Sequence, residues 1–303
     1  MQKKFSLIHK TIYSYEWEAM ESYSRVKISP METLCQAVDY HSITLNPDVP
    51  TYYHRDYFGN AVVEFSVPFR HNYLEIISRS EVTNFKPSSE PLKSEVKVGE
   101  AAKWFKNFEY EFYDYLYESP FIKFTPAVWE FGKKILAPER KLSEAILDLN
   151  HLFTTDFQYR SGATQINTPV DTVLETRKGV CQDFAHTMIS LLRARGLATR
   201  YVSGYIETYN PETSSGMVGS EQSHAWLDVY IPDFSWFGLD PTNDMCSSDR
   251  HIRVAQGRDF DDVSPVRGTF KGSGKQHLKV EVQMRRMQNS PPINKINKFQ
   301  ESN

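Results

Sequence analysis

Gly179-Val180-Cys181-Gln182-Asp183-Phe184-Ala185-His186 places a cysteine immediately before a stretch of helical periodicity that runs to Arg195-Gly196. Phe184, Ala185, Met188, Ile189 and Leu192 share one apolar face of that stretch, and Gly196 is a stop signal. A thiol in the first turn of a helix faces unpaired backbone N–H groups and the positive end of the helix dipole, and both favour the thiolate. Strand-like runs follow at 199–207, 224–231 and 235–239. His224 opens the second, in Ser223-His224-Ala225-Trp226, and Asp240 follows the third, in Gly238-Leu239-Asp240-Pro241-Thr242-Asn243. A thiol, an imidazole and a carboxylate in this chain order suit a nucleophile, its base and the group that orients the base. If the runs around Pro232-Asp233-Phe234 form a hairpin, His224 and Asp240 come close along its ladder. Direct opposition would need Tyr230 paired with Phe234, a register that strand patterning alone leaves open.

Upstream, residues 1–86 read as a small β-rich domain. Runs at 52–58 and 61–67 flank Gly59-Asn60, a dipeptide suited to a tight hairpin turn. Pro87-Ser88-Ser89-Glu90-Pro91 marks a linker, and residues 87–139 form a linker and helical segment. Trp104, Phe105, Phe108, Phe112, Tyr115 and Leu116 fall on one helical face, which reads as core. Residues 140–265 form the proposed catalytic unit, with Ser143 and Thr168 expected as helix caps and Pro169 at a first helical position. The polar stretch 209–220 is either a substrate rim or an inert insertion. Residues 266–303 add one strand, 277–284, and a polar tail from Gln288.

Composition bounds the partners. The 303 residues are 40% apolar and 14% aromatic with a net charge of −3. Lys and Arg are scattered, so there is no electrostatic case for nucleic acid or an anionic membrane surface. Three cysteines, Cys35, Cys181 and Cys246, form no CxxC pair, which fits reduced thiols better than a disulfide framework. No apolar leader and no stretch approaching the ~20 apolar residues of a membrane span is evident, and a cytoplasmic location is expected.

Other candidates are weaker. His186 reads as a packed helix residue, Asp183 as a first-turn acid pointing away from Cys181, and Asp259, Asp261 and Asp262 as a solvated loop. HExxH, Gly-rich phosphate loops and GxSxG are missing, so no metal or cofactor is expected. A lone cysteine on an amphipathic helix is usually a small buried hydrophobe, and only the combination with His224 and Asp240 lifts Cys181 above that reading.

Gly-Val-Cys-Gln-Asp-Phe-Ala-His (179–186), Arg-Tyr-Val-Ser-Gly-Tyr (200–205), Ser-His-Ala-Trp (223–226) and Gly-Leu-Asp-Pro-Thr-Asn (238–243) together resemble the bacterial branch of the transglutaminase-like superfamily. His251-Ile252-Arg253-Val254-Ala255 and Gly257-Arg258-Asp259 resemble the segment that follows the core in this branch, and residues 1–86 are similar to its N-terminal region. The resemblance implies an α+β fold with a papain-like transglutaminase core, a nucleophile helix packed on an antiparallel sheet. It carries the nucleophile to Cys181, the base to His224 and the orienting acid to Asp240. Gln182 stands where calcium-dependent animal transglutaminases have Trp, and their calcium-site context is lacking, so cross-linking is not implied. No motif assigns a second oxyanion donor; Gln182 and Tyr159 are the candidates.

The expected activity is acyl transfer on amide or peptide bonds through a thioester, hydrolytic rather than cross-linking, with a protein or peptide substrate. Alternatives are a transamidase, a redox-sensing thiol, or a non-enzymatic module whose N-terminal β domain holds a partner.

Overall fold

Glu21–Val26 alternate exposed and buried residues, the period-two pattern of a strand with one face in a core. The same logic runs through the first third of the chain. The computed structural model describes residues 2–207, 209–210, 215–216 and 223–287. Strands β1 (Gln2–Ala19), β2 (Glu21–Val26), β3 (Gln36–Asn46), β4 (Thr51–Arg55), β5 (Ala61–Val67) and β6 (His71–Phe85) come first. Helices α1 (Val98–Asn107), α2 (Glu109–Leu116), α3 (Pro126–Ile135) and α4 (Leu142–Thr155) follow. Then come β7 (Gln158–Tyr159), α5 (Val170–Thr176), β8 (Lys178–Gly179), α6 (Cys181–Ala194), β9 (Thr199–Ile206), β10 (Tyr209–Asn210) and β11 (Ser215–Gly216). The chain continues through β12 (His224–Tyr230), β13 (Trp236–Asp240), β14 (Met245–Cys246), β15 (His251–Gly257), α7 (Phe260–Val263), β16 (Val266–Lys271) and β17 (Gln276–Arg286).

Two four-stranded antiparallel sheets, β17-β1-β6-β3 and β16-β2-β5-β4, enclose a core of Tyr15, Val26, Ile28, Val63, Phe65, Leu74 and Ile76. Their outer strands come from the C-terminal end: β17 pairs with β1 and β16 with β2. Two strands therefore stand where the sequence suggested one. The first sheet is longer than its partner. Phe5, Leu7 and Val82 lie beyond that core and pack into a second one, shared with α6 and its sheet.

That second core lies under a five-stranded antiparallel sheet of order β14-β13-β12-β9-β15. Phe184, Met188, Ile189 and Leu192 of α6 are buried in it with Ala225, Leu227 and Val229 of β12. α6 ends where Gly196 takes φ +73, so that Leu197 N–H reaches back to the Leu192 carbonyl at 3.2 Å. The aromatic stripe is core as expected, but Phe108 (φ −120, ψ 24) breaks it into α1 and α2. Phe112 meets Tyr230 with ring centroids 4.7 Å apart, and Tyr115 meets Trp236 at 5.1 Å.

Local details depart from the sequence expectations. Lys141, not Ser143, precedes α4, and the Ser143 hydroxyl is buried against the Ser94 carbonyl at 3.3 Å. α5 begins after Pro169, while Thr168 accepts the Gln165 N–H in the preceding turn. The Gly59-Asn60 turn is wider than a two-residue hairpin: β4 ends at Arg55, and the Asp56 carboxylate gathers the N–H groups of Phe58 and Asn60. Asp259 is fully buried rather than solvated, because it caps α7 and accepts the Phe121 N–H at 3.0 Å and the Ser119 hydroxyl. Of the polar stretch 209–220, residues 211–214 and 217–220 lie outside the described residues, as does the tail from Gln288.

One contact set joins the two units. β15 is an edge strand, and its outer N–H and C=O groups would be unpaired without a cover. Three side-chain amides supply one. Asn60 donates to the Gln256 carbonyl and accepts the Gln256 N–H, both at 2.8 Å. Gln36 does the same for Arg253, again at 2.8 Å in each direction. Asn84 donates to the His251 carbonyl at 2.8 Å. Replacing Asn60 by Leu strands a buried donor and a buried acceptor of Gln256. The expected loss is about 2–3 kcal/mol in urea unfolding, and Asn60→Asp should not rescue it, because its carboxylate would face the Asp56 carboxylate and the Gln256 carbonyl to which the amide now donates.

Candidate active site

Backbone register decides how near His224 and Asp240 can be. Leu227 pairs with Leu239 and Tyr230 with Trp236, so Asp240 stands across from Trp226 and is a diagonal neighbour of His224 on the same face. The Tyr230–Phe234 pairing that would oppose them directly does not occur. Instead residues 231–235 form the turn, with Ile231 N–H bonded to the Ser235 carbonyl at 3.0 Å and Asp233 at φ +66. The diagonal suffices: His224 Nε2 lies 2.8 Å from Asp240 Oδ2.

Asp240 is fully buried, and donors surround it. Oδ2 accepts from His224 Nε2, from Asn243 Nδ2 at 2.8 Å and from His251 Nε2 at 3.2 Å, while Oδ1 accepts the Thr242 N–H at 3.0 Å. Burial alone would raise its pKa, but the two imidazoles outweigh burial and hold the carboxyl well below the usual range. For His224, burial pulls against the charged form. The Asp240 carboxylate and then the neighbouring Cys181 side chain override it, and the imidazole is pushed up to about 10. Its second nitrogen, Nδ1, is buried and accepts or donates no hydrogen bond within the described residues. Since the carboxylate takes the Nε2–H, Nδ1 is the nitrogen left for the thiol.

Cys181 is the first residue of α6 and half-buried. Val180 before it is extended (φ −115, ψ 179), and its N–H is capped at 2.8 Å by Asp183, whose carboxylate also takes the Thr164 hydroxyl at 2.6 Å. Tyr159, on β7 beside β8, lies near enough to Cys181 to feel its charge, although burial is the larger cause of its raised pKa. Gln182 is turned elsewhere: its amide donates to the Ile166 carbonyl at 3.0 Å. His186 is buried, stacks on Phe121 and accepts the Phe260 N–H at 3.1 Å, and burial pushes its pKa down to about 3. Sequence reasoning did not assign Asn243, Thr242 or His251 to the site. The first two follow Asp240 in the quoted Asp-Pro-Thr-Asn run. His251 begins a run noted above with no role attached.

His251 arrives by an unusual route. β14 and β15 are opposite edges of the sheet, so residues 247–250 cross its face. Gly238 makes room for the crossing, and Gly204 for the close approach of β15 and Trp226. A Cβ on Gly238 would lie 2.1 Å from Ser247 Oγ, and one on Gly204 would lie 2.0 Å from the Ile252 carbonyl oxygen and 2.7 Å from Trp226 Cη2. His224, Asp240 and His251 also have donor atoms within 4.8 Å of one another, as a metal site requires. Here both Nε2 atoms and the shared carboxylate oxygen are already joined by hydrogen bonds, so a metal would have to displace two N–H protons.

Residues 130–241 match the model of the transglutaminase-like superfamily, and residues 5–83 match that of the bacterial transglutaminase-like N-terminal region. An uncharacterized protein of Mycobacterium tuberculosis is 38% identical over 281 residues, covering 88% of this chain and 87% of that protein. The protein-glutamine gamma-glutamyltransferase of Pseudomonas aeruginosa is 33% identical over 88 residues, 29% of this chain and 13% of that protein. The crystal structure of a "putative cysteine protease" from Cytophaga hutchinsonii superposes with a TM-score of 0.76 over 96% of this chain and 92% of that one, at 17% identity. The chain belongs to the transglutaminase-like superfamily and carries the bacterial N-terminal region. Its fold is the α+β transglutaminase-like core with a β-rich N-terminal unit. Cys181, His224 and Asp240 lie inside the matched core, and His251 lies beyond it.

Two outcomes test this geometry. The raised His224 pKa means folding takes up a proton between about pH 6.5 and 10, so its stabilisation is complete below the unfolded value and is lost as pH rises. Asp240, depressed on folding, contributes above its unfolded pKa and loses its contribution as pH falls. The stability gap between wild type and Asp240→Asn should therefore be widest near about pH 5–6 and narrow steadily toward pH 10 in urea titrations. Gly204→Ala, whose new methyl group meets backbone rather than a side-chain tip, should lose about 1–3 kcal/mol in the same assay.

Proposed function

We propose that the chain is a cysteine-nucleophile acyl-transfer enzyme acting on amide or peptide bonds of a protein or peptide substrate. The observation that carries the reading is the split use of His224, with Nε2 bound to the buried Asp240 and Nδ1 buried without a hydrogen-bond partner beside Cys181. A raised imidazole pKa favours a thiolate–imidazolium pair, and the start of α6 adds its unpaired N–H groups.

Thiolate Cys181 attacks the carbonyl carbon, and charge moves onto the carbonyl oxygen at the helix start. The tetrahedral intermediate collapses as the C–N bond breaks and the His224 imidazolium gives its Nδ1 proton to the leaving amine. Neutral His224 then takes a proton from water, hydroxide adds to the thioester, and the C–S bond breaks to release the acid. Asp240 keeps its negative charge throughout and holds the ring. Hydrolysis is the favoured outcome. The short similarity to a protein-glutamine gamma-glutamyltransferase supports transamidation as the second reading, with a primary amine in place of water.

The test is the pH dependence of iodoacetamide labelling, read by peptide mass spectrometry, with Cys35 and Cys246 as internal controls. Burial pushes the Cys246 thiol up, so it should label slowly at neutral pH. At pH 6 Cys181 should label faster than Cys35 and Cys246, and His224→Ala should abolish that advantage. A wild-type Cys181 that labels no faster than the other two ends the reading. Adding a primary amine to enzyme turning over an amide substrate separates the two products.

A further inference from the structure

We propose that His251 is a positioning residue of this centre, a neutral imidazole that donates to Asp240 Oδ2 and so fixes the carboxylate that orients His224. The inference rests on the reading of Cys181, His224 and Asp240 given above.

The proton inventory of His251 is set by its two neighbours. Nδ1 lies 3.1 Å from the Ser248 backbone nitrogen, an obligatory donor, so Nδ1 must accept. The ring proton is therefore on Nε2, which points at Asp240 Oδ2 from 3.2 Å. A charged His251 would set an Nδ1–H against the Ser248 N–H. The charged groups facing the ring are Asp240 from β13, His224 from β12 and Arg250 beside it in sequence, the last paired with Glu207. Burial and the two cations hold its pKa down. One carboxylate oxygen thus serves two imidazoles in different states, His224 as the proton carrier and His251 as a fixed neutral donor.

A merely packed histidine would not explain how it is held. The crossing segment lies over Gly238, where a side chain would collide with Ser247, and Gly204 lets β15 and the Trp226 ring approach β9 closely. Trp226 meets the ring edge-on with centroids 5.1 Å apart. The His251 carbonyl is held at 2.8 Å by Asn84 of β6, in the N-terminal sheet. Asn84, His251 and Asp240 form a chain of two hydrogen bonds from the N-terminal sheet to the carboxylate. The N-terminal unit then acts as part of the site's support.

The experiment compares full-length wild type, His251→Gln and His251→Phe. Gln keeps one acceptor for Ser248 and one donor for Asp240 but cannot be protonated, whereas Phe keeps a ring and removes both. Three readouts are taken: the pH profile of Cys181 alkylation, the Tm, and nitrogen-15 NMR of the histidine rings in wild type. In His251→Phe, Cys181 should label about tenfold more slowly at pH 6 than in wild type. His251→Gln should stay within about twofold of wild type. The His251 ring should show an Nε2–H tautomer at pH 7, with its protonation displaced below the ordinary imidazole range.

A His251→Phe profile that superimposes on wild type overturns the proposal, even with a lower Tm, as does a Gln variant that behaves like Phe. An Nδ1–H tautomer, or titration at or above the ordinary imidazole value, overturns it as well, and this readout needs no variant to fold. Failure of the functional reading looks different: wild-type Cys181 would lack His224-dependent reactivity while the His251 ring still reported its bond to Asp240.

Discussion

A carboxylate sealed from water is the demand around which the rest of the molecule is arranged. Taking such a charge out of water costs several kcal/mol even after relaxation. Asp240 is fully buried and ionised, so every direction from which an oxygen could be approached must supply a donor. One donor comes from β12, two from residues just after β13, and one from a chain segment that crosses the whole sheet. The hairpin register, Gly238 beneath the crossing and the placement of β15 beside Gly204 are all conditions for that ring of donors to close.

The join between the N-terminal sheets and the core uses a related economy of chemistry. A side-chain amide carries one acceptor and a donor in nearly the geometry of a peptide group, so Asn60 and Gln36 can stand in for a missing neighbouring strand. The contact gives the edge register without a continuous ladder and leaves no open template for another chain. The charged groups nearby are used differently. Arg200 and Arg253 both close on Asp228, which is buried on the outer face of β12, where an unpaired carboxylate would be costly.

Much of this was legible in the sequence because local patterns encode it. The apolar face of α6, Gly196 at its end and the cysteine at its start each act within a few residues. His224 and Asp240 could be named because they open and close neighbouring strands. Their distance could not, because register depends on whether the turn holds three residues or five, and both versions alternate correctly. His251 is a harder case. It meets Asp240 only because residues 247–250 cross three strands, and no periodicity signals a crossing. The burial of Asp259 was missed for a similar reason: its partners Ser119 and Phe121 lie far upstream, and an acidic run looks solvated until those donors are placed.

The pairing of β1 with β17 sets Phe5 against Arg286, so the first sheet joins nearly the two ends of the described chain. The whole transglutaminase-like core is threaded between strands of one sandwich. Contacts of such long sequence separation form slowly, because the intervening chain must be gathered first. On a ribosome, the N-terminal strands emerge long before β16 and β17 exist, and they wait with two unpaired edges. The core can gather its helices in that interval, and the last two strands then close the sandwich behind it. Synthesis of β16 and β17 thus completes two sheets whose other strands were made before the intervening core.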